Sequence, residues 1–469
     1  MAPQDQFTIQ QQVVIGLNSL LDPATPVAPT RALLSTSLEP SWEIQTEEFT
    51  PRGNKVPTIQ SLNVDDSNAN LSGKLEFNEL GVFLASNLVG DNGNNTGVAK
   101  TPTSGTPIAA KIWEFTPKVT KQDTPQAFTA QYLGTGRGMQ QNYCLVPSVQ
   151  IGVDAQGGVS FGGQIMAQQL RDSADGLLPA LVLASGLVGF PALVPVQVRG
   201  PANCVNVYLS KVSRDELGEK TTVSLAITAT GTDVQTALRA LPTITTTGVT
   251  VVGAAGGPWT LTFGGPLAAL DVPKVKIKTN TLTGGTNPTV VTAVTVEGKE
   301  LVATNEVQVL TLTGAPTSGT FTLAFSKTKL SRLRSTQWQT SGRWSKFYEL
   351  DCDFPSWSTH IEAQMQGSVS ISLGLNDLTM QLLRKTRAGE RVWIRQEIGG
   401  PTIGAGPDRY MIEIDSCLFL RAPGAPQDMN GLMGVDFEGT FARDDNFGGI
   451  GVPGFTTVRL VNTAATLLG

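Results

Sequence analysis

LEFNELGVFLASNLVG runs from Leu75 to Gly90, and LGLNDLTMQLLRKTRAG runs from Leu373 to Gly389. Laid side by side, Leu75, Asn78, Leu80 and Leu84 meet Leu373, Asn376, Leu378 and Leu382, and Glu79 meets Asp377. Each stretch offers an Asn whose side chain can accept a bond from a free amide at a helix start. An acid follows where the helix dipole favours negative charge. Leu80, Phe83, Leu84 and Leu88 then fall on one helical face, as do Leu378 and Leu382 in the second stretch. Gly90 and Gly389 stand where a left-handed cap would end each helix. The second stretch adds Arg384, Lys385 and Arg387 near its end. The chain therefore spells one helix start twice.

Other landmarks repeat in the same order. KIWEF with Trp113 follows the first helix, and RVWIR with Trp393 follows the second. Next come YCLVPSVQIGV from Tyr143 and YMIEIDSCLFL from Tyr410, then GVSFGG from Gly158 and GVDFEG from Gly434. In the last pair Val and Phe share one face of a strand, because side chains alternate along it. Four ordered landmarks predict an internal duplication.

Composition agrees with a β-rich chain. Of 469 residues, 16% are charged, 50 are Gly and 28 are Pro, which favours strands and turns over helices. That length suggests two to four domains. A net charge of -5 argues against tight phosphate binding. Between the copies, from about Asp215 to Phe325, the sequence turns rich in Thr, Val and Gly. Short runs such as Trp259–Phe263 and Val307–Leu312 alternate between turn residues, the pattern of a β-sandwich. TDVQTALRAL, from Thr232 to just before Pro242, is the one helical stretch there. The expected fold class is mainly β, with residues 1–214, 215–326 and 327–469 as an N-terminal domain with an arm, an inserted module and a C-terminal domain.

The helix together with YMIEIDSCLFLRAPGAPQDMNGLMGVDFEGTFARDD resembles the C-terminal part of major tail tube proteins of long-tailed, siphovirus-type bacteriophages. The insert, with EVQVLTLTGAPTSGTFTLAF, DVQTALRALP and LTGGTNPTV, resembles an Ig-like repeat of phage virion proteins, its pieces in an unusual order. The resemblance covers the C-terminal domain and the insert, and reaches the N-terminal half only through the duplication. It implies two tandem β-sandwich or half-barrel domains, each with a short helix, that join edge to edge into rings. The rings stack into a virion tail tube, assembled in the host cytoplasm, through which double-stranded DNA passes. It also implies a tape measure protein and tail terminator and distal tail proteins as partners. A duplicated chain would close such a ring as a homotrimer with pseudo-sixfold symmetry; a hexamer is the alternative.

A channel for DNA should repel phosphate, which directs attention to acids on apolar strands. Glu413 and Asp415 alternate with Ile412 and Ile414, and Asp436 and Glu438 alternate with Val435 and Phe437. These four are the candidate channel-lining residues, with ordinary solvent-facing positions as the competing reading. Trp338, Trp344, Phe347, Tyr348 and Trp357 are the candidates for packing between subunits or rings, with a local core as the alternative and the segment around Trp42 as an N-terminal counterpart.

Catalytic parts are sparse. His360 is the single histidine and sits in an apparent strand, so no enzyme activity is expected. GTGRGMQ from Gly134 lacks the frame of a phosphate loop. The near-calcium loop from Asp66 has Leu71 at the required Gly position and Phe77 at the bidentate Glu position. Cys144, Cys204, Cys352 and Cys417 are widely spaced and read as reduced, buried residues, so no metal or cofactor is expected. The uncharged run 176–198 is long enough to span a bilayer, but Pro179, Pro191 and Pro195 favour an extended arm, and no membrane insertion is expected. The N-terminus lacks a basic start followed by an apolar block, and Asn94-Asn95-Thr96 has no meaning as a glycosylation site without secretion. A surface β-sandwich adhesin is the alternative class.

Overall fold

The computed structural model describes residues 12–19, 25–52, 55–89, 102–133, 138–156, 158–172, 188–189, 194–197, 204–210, 214, 217–268, 272–298, 304–326, 329–330, 332–349, 356–421, 423–424, 426–428, 433–448 and 451–467. Gly90, Cys352, the Asn94 sequon, Gly134–Arg137 and most of the uncharged run 176–198 lie outside them, as do the side chains of Leu378 and Cys204. The chain forms two compact units. The first comprises Met1–Val205, Arg332–Arg391 and Gln396–Gly469; the second comprises Asn206–Ser331 and Val392–Arg395. The two halves that flank the insert thus share one unit.

That first unit carries β1 (Thr36–Phe49), β2 (Ile59–Gly73), α1 (Leu80–Asn87), β3 (Lys111–Phe115), β4 (Gly138–Asp154) and β5 (Gly158–Ala167) from the N-terminal half. From the C-terminal half come β6 (Leu333–Ser341), β7 (Trp344–Phe347), β8 (Thr359–Glu362), β9 (Gln366–Gly374), a helix at Asp377–Ala388, β10 (Arg409–Leu420), β11 (Met433–Phe441) and β12 (Thr456–Asn462). That helix is α3, and α2 (Gly231–Arg239) belongs to the second unit.

The first half pairs in the order β1-β2-β5-β4, all antiparallel. The second pairs in the order β6-β9-β11-β10, also antiparallel. Each is therefore the same four-stranded ladder with its helix after the second strand in sequence. Register makes the equivalence specific. Aligning the two helix starts places Gly73 on Ile371, an offset of 298 (371 − 73). Aligning the two Gly-Val-x-Phe-x-Gly runs places Phe161 on Phe437, an offset of 276 (437 − 161). Although the offsets differ, Gly73 pairs with Phe161 and Ile371 pairs with Phe437. Thr36 then faces Gly73 as Thr336 faces Ile371.

One landmark fails the comparison. Trp113 lies on β3, which pairs with β12 from the other half, Trp113 opposite Leu460. Trp393 falls within Val392–Arg395, which cluster with the second unit. The shared Trp marks different places.

The helix ends differ too. In α3, Asn376 accepts a 2.8 Å bond from the Thr379 amide, and Gly389 closes the helix at φ 65°. In α1 the expected Asn78 cap is absent. Glu76 instead accepts from the Asn78 and Glu79 amides, at 2.6 and 2.7 Å, and from the Val194 amide at 2.8 Å. Glu79 reaches back to accept from the Leu34 amide, 2.7 Å, and from the hydroxyls of Ser35 and Thr36. Val89, at φ 62°, takes the left-handed turn. Nor does α1 show one apolar face: Leu80 through Asn87 are buried on all sides.

β4 belongs to two sheets. Its start pairs with Phe128–Leu133, which in turn pairs with Gln12–Leu17, while its end pairs with β5. The register shifts between Leu145 and Ser148, where Pro147 cannot donate to a ladder. The strand so bent wraps two sheets around α1, which packs against β4.

The second unit has its own core. Val249–Val252, Trp259–Phe263, Val307–Thr313 and Thr289–Val296 form one antiparallel sheet in that order. Thr320–Ser326 pairs with Glu219–Thr221, Leu225–Ala226 and Lys276–Asn280 in another. Helix α2 starts on a capping box between Thr230 and Asp233 and buries Val234, Ala237 and Leu238 against Trp259, Leu261 and Phe321.

Candidate assembly edges and channel face

The two ladders meet inside one chain. β4 carries β5 on one edge, and its residues Val149–Asp154 carry β6 on the other, from Thr340 opposite Val149 to Ser335 opposite Asp154. Eight strands thus follow one another as β1-β2-β5-β4-β6-β9-β11-β10. A second junction pairs β12 with β3, Val458 opposite Phe115 through Asn462 opposite Lys111. Thr116 and Thr457 hydroxyls meet there at 2.7 Å, and the Trp113 indole donates to Asn462 at 3.2 Å. At the start of the ladder, β1 pairs with β2, and among the described residues no other strand is registered against it. An unpaired edge presents a row of backbone donors and acceptors that can accept a further strand.

One face of the ladder is buried and the other is polar. The buried side carries Leu38, Leu71, Val149, Ile151, Trp338, Val369, Ile371 and Phe437. On the other side, one cross-strand row reads Ser37, Ser72, Gly162, Gln150, Gln339, Ser368 and Thr440 through seven adjacent strands. A neighbouring row reads Ser160, Gly152, Gln337, Ser370 and Glu438, and the next reads Asp154, Ser335, Ser372 and Asp436. None of the residues in these rows is Lys or Arg. Arg421, just past β10, faces Glu438 at 3.7 Å.

The four acids proposed from sequence separate. Asp436 and Glu438 are exposed on this polar face, opposite Ser372 and Ser370. Glu413 and Asp415 are 8% and 1% exposed. They lie in the part of β10 paired with β12, Glu413 opposite Arg459 and Asp415 opposite Thr457, and both faces of the strand are covered there, since Ile412 and Ile414 are buried as well. The expectation of an open acidic face at these two positions is corrected within the chain: alternation in a strand cannot reveal that packing against distant segments covers both of its faces.

The aromatic group also divides. Trp338 is fully buried on the ladder's inner side, its indole donating to Thr456 Oγ1 at 3.3 Å. Trp344 and Trp357 belong to a local core with Val89, Ala127, Tyr143, Leu145 and Met166. Trp344 donates to the Ser86 carbonyl at 2.9 Å, and Trp357 to the Ala167 carbonyl at 2.8 Å. Within the chain these three therefore belong to its own core. Phe347 and Tyr348 remain 39% and 43% exposed. The β7–β8 hairpin that carries this group lies on the first half of the chain. Arg343, 2% exposed, pairs with Asp123 and, at 3.2 Å, with Glu362, and its guanidinium stands 5.0 Å from the centre of the Trp344 ring. Burial raises the Asp123 and Glu362 carboxyls against the pull of Arg343. His360 is held edge-on against Trp344 and Tyr143, its Nδ1 2.7 Å from the tyrosine hydroxyl, and burial lowers its pKa. Cys144 and Cys417 are free and buried, and burial pushes the Cys417 thiol up to about 12.

Sequence reasoning named the segment around Trp42 as a counterpart of the aromatic group, and missed how far this arm of the β1–β2 hairpin is exposed. From Ser41 to Phe49 every residue is exposed, with Trp42 at 59%, Ile44 at 44% and Phe49 at 59%. It also missed Glu76, whose carboxyl burial pushes up to about 7 against the three amide bonds that draw it down.

No family model matches the chain. Over 67 residues it is 49% identical to the "Tail sheath protein" of Mycobacterium phage Bxz1. The matched stretch is 14% of this chain and 11% of that protein, so the chain spans only a small part of its relative's length. No helix among the described residues is long and apolar enough to cross a membrane.

Proposed function

We propose that the chain is a structural protein of a phage tail, and that it builds the tail tube as rings of three copies. The similarity to a phage tail protein supports the first part. The observation that carries the second is the doubled ladder with an open β1 edge and a polar face free of Lys and Arg in its cross-strand rows. The join of β4 to β6 serves as the template: the Leu418–Leu420 end of β10, which pairs with β11 rather than β12, would meet β1 of a neighbouring chain as the end of β4 meets β6. Such head-to-tail contacts form a ring when the rotation closes.

Barrel arithmetic favours three chains. Eight strands per chain give twenty-four in a trimer, and ~4.8 Å spacing gives a circumference of about 115 Å and a radius of about 18 Å before tilt. Side chains of about 5 Å leave room for duplex DNA, roughly 10 Å in radius. Six chains would double that radius and leave a loose fit. Ser, Gln, Thr and Gly on the polar face offer no fixed charge to grip phosphate, and Asp436 and Glu438 repel it.

A sheath that encloses a separate tube is the second reading, favoured by the name of the matching protein. Negative-stain class averages of the assembled protein separate the two. Threefold rings with a bore of about 25–30 Å support the tube. A much wider opening, or particles without an axis, would refute it.

A further inference from the structure

We propose that the exposed arm of the β1–β2 hairpin docks on the C-terminal end of α3 in a neighbouring copy of this chain. The inference rests on the ring reading above and adds a second, side-chain contact to its strand junction.

The chain contains its own template. Beyond the ladder, β6 and β9 continue into the β7–β8 hairpin, and this arm lies on the preceding half of the molecule. Its Trp344 donates to the carbonyl of Ser86 in the last turn of α1, and its Arg343 pairs with Asp123. The arm of the second half thus rests on the helix end of the first. By the register that pairs Thr36 with Gly73 and Thr336 with Ile371, Ile44 stands at the place of Trp344 and Glu43 at the place of Arg343. By the helix alignment, Arg384 stands at the place of Ser86. The arm of the first half has no preceding half within its own chain. A neighbouring chain's second half supplies one.

Three observations favour that occupant. On the β1 strand of the arm every residue from Ser41 to Phe49 is exposed, Trp42, Ile44 and Phe49 among them at 44–59%, and Ile59 on the partner strand is 60% exposed, while Lys346 of the same chain holds the base of that partner strand at Asp66. A ribbon of that kind is marginal alone in water. α1, which carries the docked arm, is wholly buried, whereas α3 leaves Arg384, Arg387 and Ala388 exposed at the equivalent end. The charges also complement each other. Glu43, Glu47 and Glu48 are exposed on the arm, and α3 ends in Arg384, Lys385 and Arg387. In the template a basic arm meets an acid; in the proposed contact an acidic arm meets bases.

The test uses the full-length chain. Ile44→Cys combined with Arg387→Cys should give, on mild oxidation, a ladder of covalently joined dimers and trimers on a denaturing gel, absent from either single variant. Reversal of Glu43 and Glu48 to Lys, or of Arg384 and Arg387 to Glu, should each lower the assembled fraction in sedimentation by about tenfold or more, and the combined set should restore it. Recovery in the combined set cannot come from misfolding of either parent. If rings form, but no inter-chain link appears and both reversals assemble like the parent, the arm contact is wrong while the ring stands. If the parent chain never assembles, both fall.

Discussion

The template contact can be weighed first, because everything about the free arm is drawn from it. Trp344 is 3% exposed, and its indole donates to Ser86 at 2.9 Å. Trp344→Ala removes a large buried side chain, which costs about 3–5 kcal/mol, and strips the Ser86 carbonyl of its donor. Trp344→Phe keeps most of the ring and loses the donor alone, for about 1–2 kcal/mol. Hydrogen exchange of the α1 amides reads the difference directly, since each 1.4 kcal/mol is tenfold in an opening equilibrium. The Ala variant should speed exchange across Leu80–Leu88 by a hundredfold or more, and the Phe variant by about tenfold. Phe347→Ala, on the exposed side of the same hairpin, should change it less than fivefold, as surface substitutions do. Equal and small effects in all three would mean that the hairpin does not clamp α1, and the equivalence from which the neighbour contact was argued would lose its basis.

Glu76 makes the first unit sensitive to pH. Its folded pKa of about 7 lies above the ordinary 4.5, so folding favours the protonated form; stability from this group is full below about pH 4.5 and lost as pH rises through 7, by about 3 kcal/mol. Denaturant titrations at pH 5 and pH 8 should show that fall, and Glu76→Gln should flatten it. Gly389→Ala forces a side chain into φ 65° at the end of α3 and should lower stability by about 1 kcal/mol, while leaving the second unit's melting unchanged. Asp436→Lys with Glu438→Lys places cations on the polar face beside Arg421; assembled rings should then retain duplex DNA at low salt and release it as salt rises, whereas the parent rings should retain none.

Local pattern carried part of this structure. The alternation in GVSFGG and GVDFEG is a short-range signal, and it placed β5 and β11 at equivalent registers; the two helix starts were legible in position, although the apolar face expected of α1 is absent. The helix α2 and the strand Trp259–Phe263 were legible for the same reason, although the Thr230–Asp233 capping box that starts α2 was not read. What depends on distant partners was not. Nothing near Tyr143 says that β4 will serve two sheets, and nothing near Glu413 says that β12 will cover it. Glu76 replaces Asn78 as the helix cap because the Val194 amide, far along the chain, adds a third donor. The candidate face became visible only when registers lined up Ser37, Gln150, Gln339 and Ser368, which lie in four separate strands.

The pairing of β12 with β3 has a bearing on biosynthesis. Trp113 waits for Asn462, made 349 residues later. A ribosome adding roughly 5–20 residues per second must work for tens of seconds before that bond can form. Nascent or truncated products hold an unfinished margin at Lys111–Phe115 throughout, and only molecules translated past Asn462 can complete it. In the proposed ring, closure of this late clasp would act as a check on length, keeping fragments out of the assembly.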